Sequence, residues 1–231
     1  MRLTVPHVVD FGEHAGLVGS DLVRPEAWDA LRVGTTGPFG LAPDRPALET
    51  LADARPDIGD RARALQALLA ERGTRTVASY GAGAGVLEVW LARLDPELRL
   101  TLTDYAPRTA ERLGELLPET TVVRHDLLGE APLPDVDLHL FHRIDTEFTN
   151  RQWREILRRF AGVPVLVLAT EIIEPRRALA EVVKRLRNPR ITRAGWIRTR
   201  AAFEALWRPS HDAEHLQVAD LEAWWLSPRL S

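Results

Sequence analysis

Residues 74–87 read TRTVASYGAGAGVL and combine a short apolar run, three glycines at alternate positions and the start of a second apolar run. The pattern predicts a β-strand that turns sharply at Gly81, Gly83 and Gly85 into a helix. Glycines at such a turn allow unusual backbone conformations and let a ligand approach the backbone amides. Because the amino end of a helix carries a partial positive charge, the stretch predicts a site for a nucleotide-type ligand.

The spacing of these glycines narrows the choice of nucleotide. A dinucleotide fingerprint needs G-x-G-x-x-G, and the chain has Val86 where the third glycine would stand. A phosphate-binding P-loop needs a lysine after its last glycine, whereas the sole lysine is the distant Lys184. The P-loop is therefore excluded and a pyrophosphate site is disfavoured. The G-x-G-x-G spacing resembles the first motif of class I S-adenosylmethionine-dependent methyltransferases.

Length and composition set the broad class. The chain has 231 residues, of which 45% are hydrophobic, enough for the core of one α/β domain. It has no cysteine, which excludes disulfides, thiolate metal ligands and a cysteine nucleophile. A net charge of −3 argues against indiscriminate nucleic-acid binding. No apolar run approaches the roughly 18 residues of a membrane span, so we expect a cytoplasmic protein without membrane contact.

The first quarter of the chain differs from the remainder. Residues 1–57 are rich in proline and glycine, and a breaker-rich loop at 34–46 separates two short helical candidates, 21–32 and 46–54. This segment is too small for an independent domain. We interpret residues 1–57 as a cap that lies over a larger domain formed by residues 58–231.

Strands and helices alternate in that larger domain. Near-continuous apolar strands such as VPVLVLA indicate burial on both faces, hence a parallel sheet with helices on each side. The predicted strands are 75–80, 98–103, 120–124, 136–141 and 163–170, and the predicted helices are 60–72, 84–94, 106–117, 148–160, 175–187 and 199–208. The ending HDAEHLQVADLEAWWLSP reads as two closely joined, antiparallel strands.

These elements predict an α/β fold, a doubly wound, mostly parallel seven-stranded sheet that ends in an antiparallel hairpin, with a short N-terminal helical cap. The chain order resembles that of class I methyltransferases. A nicotinamide-dependent oxidoreductase would more often finish with another parallel unit.

The strand ends predict the ligand contacts, because ligands of open α/β sheets bind beyond the carboxyl ends where strand order reverses. The second strand ends at Asp104, about 20 residues after the glycine turn, the spacing of a carboxylate that accepts ribose hydroxyls. The third ends at Asp126, whose apolar neighbours Leu127 and Leu128 suit an adenine with its exocyclic amine. Alternatively, both acids are turn residues that cap the next helix.

The resemblance implies the same roles: Asp104 for the ribose, Asp126 for the adenine amino group and the glycine turn for the methionine portion. We therefore predict S-adenosyl-L-methionine as the cofactor. The predicted cofactor-binding residues are Ser79, Tyr80, Gly81, Ala82, Gly83, Asp104, Tyr105, Asp126, Leu127 and Phe141. Ser79 departs from the family, which usually carries an acid at this position to help hold the ligand's ammonium group, so that role must pass to backbone carbonyls or another residue.

The stretch after the fourth strand, DLHLFHRIDTEF, predicts the substrate side of the site. The resemblance to class I methyltransferases implies that this loop supplies substrate contacts or a base. His142 is the side chain of the loop best able to hold a proton near neutral pH. The alternatives for His142 are a hydrogen-bonded loop histidine and a cofactor contact. Arg143, Asp145 and Phe148 are the predicted substrate contacts. Asp145 could orient His142 or cap the next helix, and we favour the cap.

Two of the remaining histidine patterns have structural interpretations. His139 lies three residues before His142 on the same strand and should face the opposite side of the sheet, as a packed core histidine. His211 and His215 could ligate a metal if they lay on a helix, but a strand is predicted there, and neither thiolates nor a clustered third ligand accompany them. We predict no metal site.

The conclusion from sequence is methyl transfer from S-adenosylmethionine to an oxygen or nitrogen atom of a small organic molecule, as in bacterial secondary metabolism. Three alternatives stay open: an oxidoreductase, a non-catalytic S-adenosylmethionine-binding protein, and an RNA methyltransferase. The last would use the basic segment 176–200, where Trp196 beside Arg198 could stack a base. Nucleic acid is nevertheless the disfavoured partner, and the protein is expected to be a monomer or homodimer.

Overall fold

The computed structural model describes residues 1–9, 24–33, 40–187 and 192–229, which form two sheets and their flanking helices. The strands are β1 (Thr4–Val9), β2 (Thr76–Tyr80), β3 (Arg99–Asp104), β4 (Thr121–Arg124), β5 (Leu138–His142), β6 (Val165–Leu168), β7 (Thr192–Arg198), β8 (His211–Val218) and β9 (Leu221–Pro228). The helices are α1 (Pro25–Val33), α2 (Arg45–Asp53), α3 (Pro56–Glu71), α4 (Val86–Leu94), α5 (Pro107–Leu116), α6 (Asn150–Arg159), α7 (Pro175–Arg187) and α8 (Arg200–Glu204).

The main sheet has seven strands in the order β4-β3-β2-β5-β6-β9-β8. The first five are mutually parallel, whereas β9 is antiparallel to both β6 and β8. The predicted fold class, including the closing hairpin, is therefore confirmed. Strand order reverses between β2 and β5, and such a reversal opens a crevice at the carboxyl edge of a sheet.

Burial on both faces explains why the central strands are parallel and apolar. All four residues of β6 are buried. One face packs on α3 and α4 through aliphatic side chains such as Leu65 and Leu140. The other face packs on α6 through an aromatic cluster that includes Phe141, Trp153 and Trp224. Trp224 and Trp225 lie in the two different cores, as the alternation of a strand requires.

The N-terminal segment packs on the main domain through three elements. β1 pairs antiparallel with β7 in a separate two-stranded sheet that the sequence did not predict. α2 packs on α4 and places Leu48 and Ala52 in the core, and α1 packs on α5. The boundary at residue 57 stays a prediction. Residues 10–23 and 34–39, which include part of the predicted helix 21–32 and of the breaker-rich loop, lie outside the described residues.

Across the described parts of the chain, no helix has both the length and the apolar character needed to cross a membrane.

Candidate functional site

The turn after β2 has the tight geometry that its glycines predict. Gly81, Gly83 and Gly85 have φ angles of 68°, 62° and 75°, a left-handed region that favours glycine. The amides of Gly81 and Ala82 donate to the carbonyl of Thr103, at 2.9 and 3.1 Å. A Cβ atom at Gly81 would collide with the side chain of Ile144. The turn therefore brings bare backbone to the end of β3 and to the loop after β5.

Asp104 lies at the end of β3, directly against the glycine turn. Its side chain is buried, with 1% exposed. Oδ2 accepts from the amide of Gly83 at 3.3 Å and from Nη1 of Arg32 at 2.8 Å, while Oδ1 accepts from the amide of Ala106 at 2.9 Å. Arg32 belongs to α1, and no motif in the sequence had singled it out. Asp104 thus lies at a strand end beside the glycine turn and is paired with a cation from the N-terminal segment, while its contact with a ribose stays a prediction.

A cavity of about 320 Å³ opens beside this turn, at the carboxyl ends of the parallel strands. Its walls come from β2, β3, the loops after β4 and β5, α1 and β7. They are lined by Pro25, Tyr80, Gly81, Thr103, Tyr105, His125, Asp126, Leu127, Leu128, Ile144, Glu147, Phe148, Thr149, Gln152 and Trp196. Six of the predicted site residues therefore meet here: Tyr80, Gly81, Tyr105, Asp126, Leu127 and Phe148.

Three polar atoms in the cavity wall are buried without a hydrogen-bond partner among the described residues: Thr103 Oγ1, Tyr105 Oη and His125 Nε2. Buried polar atoms are almost always paired, and leaving one unpaired costs about 1–3 kcal/mol. Asp126 lies in the same wall and accepts the amide of Leu128 through Oδ1 at 2.8 Å. The wall thus offers both polar groups and apolar surface to a ligand.

Five of the ten predicted cofactor residues are not part of the cavity wall: Ser79, Ala82, Gly83, Asp104 and Phe141. Ser79 is fully buried and donates from Oγ to Oε1 of Glu88 at 2.6 Å. Burial raises the pKa of the Glu88 carboxyl to about 7. Phe141 is fully buried and packs on Trp153 and Phe160. Ligand contact by Ser79, Phe141, Asp104, or the turn residues Ala82 and Gly83 stays a prediction.

His142 does not line the cavity. Burial, together with the nearby charges of Arg143 and Arg61, lowers its pKa to about 3. Its Nε2 atom is buried without a partner in the described part of the chain. His139 faces the other side, with Nδ1 3.0 Å from the Tyr80 hydroxyl, and is the core histidine that the sequence predicts. The role of His142 as a base stays a prediction.

The loop after β5 separates the three predicted substrate contacts. Phe148 lines the cavity, whereas Arg143 is exposed and has a positive φ of 59°. Asp145 is buried and accepts from the amide and hydroxyl of Thr170, at 2.6 and 2.7 Å, outside the cavity wall. Contact of Arg143 and Asp145 with a substrate stays a prediction.

The prediction that Asp145 caps the helix after β5 is wrong. The helix begins at Asn150, and Thr149 is its N-cap, forming a capping box with Gln152. A threonine adjacent to the first turn satisfies its free amides directly, so the carboxylate of Asp145 is left to bind the backbone after β6.

Glu147 lines the cavity, although no sequence pattern singled it out. It lies on the loop after β5 and shares the cavity lining with Tyr105 and with Trp196 of β7. Desolvation raises the pKa of its carboxyl to about 8, against the lowering effect of Arg32. No local pattern distinguishes it from a solvent-facing loop residue, because its burial depends on β7.

The basic segment 176–200 is only partly available to a nucleic acid. Arg198 is buried and donates to the carbonyl of Asp145 at 2.7 Å and to that of Phe148. Trp196 lines the cavity instead of an outer surface. Residues 188–191 lie outside the described residues. The described residues also hold no cluster of three or more histidine or acidic side chains that could bind a metal ion.

No protein-family model matches this chain, and neither does any curated protein sequence. Solved structures do match. Mitomycin 7-O-methyltransferase MmcR gives a TM-score of 0.60 at 19% identity, over 94% of this chain and 76% of that one. Human N-acetylserotonin methyltransferase in complex with S-adenosylmethionine gives 0.59 at 20% identity, over 78% and 54%. TnmH gives 0.59 at 19% identity, over 80% and 59%.

The likeness establishes the fold, which is that of class I methyltransferases. The chain spans little more than half the length of two of these proteins, 54% of the human enzyme and 59% of TnmH.

Proposed function

We propose that the protein is an S-adenosylmethionine-dependent methyltransferase that transfers a methyl group to an oxygen or nitrogen atom of a small organic molecule of secondary metabolism. The observation that carries the proposal is the convergence, at the reversal of strand order, of the glycine turn, Asp104 and a cavity lined by Asp126. The names of the matched structures support it, since one is a mitomycin 7-O-methyltransferase and another was solved with S-adenosylmethionine.

The residues fit this cofactor. An adenine needs apolar contact and polar partners, which Leu127, Asp126 and the unpaired groups of Thr103, Tyr105 and His125 would offer. Asp104 would accept the ribose hydroxyls, and the glycine turn leaves room for the amino-acid tail. The cofactor, when bound, supplies a methyl group already activated by a positively charged sulfur.

The main task of the protein is then to orient the acceptor and exclude water. Orientation of two reactants can contribute about 7–11 kcal/mol, against about 3–5 kcal/mol for a general base. Tyr105, Phe148 and Trp196 give the cavity aromatic walls, which suit a planar acceptor. We propose also that residues 1–57 act as a cap, because Pro25 of α1 contributes to the wall.

Glu147 is placed to accept the proton of an acceptor hydroxyl. It lies in the cavity wall, and its raised pKa of about 8 makes the ionised carboxylate a stronger base than an exposed glutamate. A neutral amine acceptor would attack without such a base. His142 keeps its predicted role as the competing candidate, to be separated from Glu147 by mutation.

Calorimetry with S-adenosylmethionine, S-adenosylhomocysteine and NAD tests the cofactor. We expect both adenosyl sulfur compounds to bind and NAD to fail. Binding of NAD alone would contradict the proposal and favour an oxidoreductase. Transfer of a labelled methyl group to a panel of phenols, alcohols and amines then tests the enzyme against a non-catalytic binding protein, for which no acceptor would gain label.

We propose further that the protein acts in the cytoplasm as a monomer or homodimer on small molecules. Light scattering on the purified chain measures the oligomeric state.

A further inference from the structure

Helix α1 is fixed to the main domain by a carboxylate. Asp29 is buried and accepts from the amides of Arg108 and Thr109, at 3.2 and 3.0 Å, and from the Thr109 hydroxyl at 3.0 Å. These amides begin α5, whose own N-cap residue, Ala106, has no side chain that can accept them. A negative charge at a helix N-terminus is also electrostatically favourable. Asp29 therefore caps α5 from another helix and fixes the position of α1.

Arg32 lies one turn further along α1, and this docking places its guanidinium at the glycine turn. Nη1 is 2.8 Å from Oδ2 of Asp104. Nη2 lies 3.2 Å from the position that a Cβ atom at Gly83 would take. The plane of the Trp28 ring supports the guanidinium from 4.8 Å. The cation thus stands where the proposed ribose and amino-acid tail of the cofactor would meet.

The ribose and Arg32 compete for the same carboxylate. A carboxylate has about four acceptor positions, and in Asp104 three are occupied by the amides of Gly83 and Ala106 and by Arg32. The two hydroxyls of a ribose need two positions. Since the two amides are fixed backbone groups, Arg32 is the partner that must leave.

The released cation would have an anion beside it. The amino-acid tail of S-adenosylmethionine carries a carboxylate, and Asp104 is itself a buried carboxylate beside Gly83. A second carboxylate placed there without a cation would be repelled. The planar guanidinium with its five donors is well suited to hold a carboxylate through two hydrogen bonds.

We propose that Arg32 exchanges partners: it neutralises Asp104 when the site is empty and binds the carboxylate of the cofactor's amino-acid tail when the ribose hydroxyls take Asp104. The inference rests on the proposed function. It assigns to α1 a residue that distinguishes adenosyl compounds with an amino-acid tail from those without one.

The test compares two ligands that share the adenosine thioether but differ in the tail. S-adenosylhomocysteine has the amino acid, and 5′-methylthioadenosine lacks it. Calorimetry should show that Arg32→Gln lowers the affinity for S-adenosylhomocysteine at least about tenfold, because hydrogen bonds to a charged group are lost. Affinity for 5′-methylthioadenosine should hold or rise, because Asp104 is freed.

Arg63→Gln is a matched control. Arg63 also pairs with an aspartate, Asp60 at 2.6 Å, and also lies over a tryptophan ring, Trp90 at 5.6 Å, but it belongs to α3 and its ion pair is exposed, whereas that of Arg32 is buried. Both affinities should match those of the wild type. Arg32→Lys keeps the positive charge but lacks the planar guanidinium. It should lower the affinity for S-adenosylhomocysteine by a smaller factor and leave that for 5′-methylthioadenosine unchanged. This second variant tests the proposal if Arg32→Gln fails to fold.

Each other outcome overturns the inference in a recognisable way. Equal losses for both ligands would mean that Arg32 only supports the structure. An unchanged or stronger affinity for S-adenosylhomocysteine would mean that Arg32 only blocks Asp104. Failure of the wild type to bind either compound would refute the proposed function itself, and the partner exchange with it.

Discussion

Asp104 is the residue on which the site depends. Its buried carboxylate joins three parts of the chain, the glycine turn through Gly83, the start of α5 through Ala106 and the N-terminal segment through Arg32. A buried charge is tolerated only when it is paired and hydrogen-bonded. The amides of Gly83 and Ala106 are fixed backbone donors and orient the carboxylate, which the proposed binding of a ribose requires.

Replacing Asp104 by asparagine should lower the affinity for S-adenosylhomocysteine at least about tenfold, because hydrogen bonds from the ribose hydroxyls to a charged acceptor are lost. Calorimetry measures the affinity, and thermal unfolding monitors the fold. Asp44→Asn, a change at the N-cap of α2 far from the cavity wall, is the control. Unaltered affinity in Asp104→Asn would show that this carboxylate is not the ribose acceptor.

The proton acceptor can be identified from the pH dependence of turnover. The pKa of Glu147 is about 8, so the carboxyl is mostly protonated at pH 7 and becomes an active base as pH rises. With a hydroxyl acceptor, kcat/KM should therefore increase through about pH 8. Glu147→Gln should remove this rise and lower kcat by about 10²–10⁴-fold, whereas His142→Gln should leave the profile intact. The reverse pattern would assign the base to His142.

Glu88 provides a pH prediction for stability. Burial raises its pKa from 4.5 to about 7, so the folded state holds this proton more tightly than the unfolded state. The contribution of Glu88 to the free energy of unfolding therefore falls as pH rises from about 4.5 through 7, by up to about 3 kcal/mol.

Glu88→Gln keeps an acceptor for Ser79 and removes the titration. Urea unfolding should show the variant gaining stability relative to wild type between pH 5 and 8. Glu97→Gln, at an exposed position, should show no such trend. A constant difference for Glu88→Gln across this range would contradict the raised pKa.

At the scale of elements, local sequence patterns predicted the strands and helices of the main domain. They did not predict the two strands that form only by pairing between distant parts of the chain. The strands β2 to β6 and helices α4 to α7 were predicted, because their hydrophobic periodicity and the glycines that bound them are local. β1 and β7 were missed: Thr4 pairs with Arg198, and the two strands contain Pro6 and Gly195, which interrupt a strand pattern. The same pairing carries Trp196 to the cavity, so this part of the site could not be predicted.

Gly195 shows how β7 is fitted to the site. Its φ is 106°, and a Cβ atom there would collide with the carbonyl of Thr146, which also accepts the amide of Trp196 at 2.6 Å. Gly195→Ala should therefore reduce the free energy of unfolding by at least about 2 kcal/mol. Gly162→Ala, where a Cβ atom meets nothing within 4 Å, should stay within about 0.5 kcal/mol. Similar losses in the two urea titrations would contradict this account.

At the scale of the whole molecule, the sheet order determines where the proposed cofactor can bind. The reversal between β2 and β5 gathers the ends of the parallel strands around one crevice, and Pro25 of α1 contributes to the cavity wall. Sequence located the acids after the strands, since their positions follow from the alternation of elements. It could not locate Arg32 or Glu147, whose positions depend on docking of α1 and β7.

A crystal structure with S-adenosylhomocysteine bound measures the central claim most directly. The account predicts density in the cavity, with the adenine against Asp126 and Leu127 and the ribose hydroxyls on Asp104. A vacant crevice at saturating ligand, or a ligand bound with Asp104 and Asp126 directed away from it, would contradict the account.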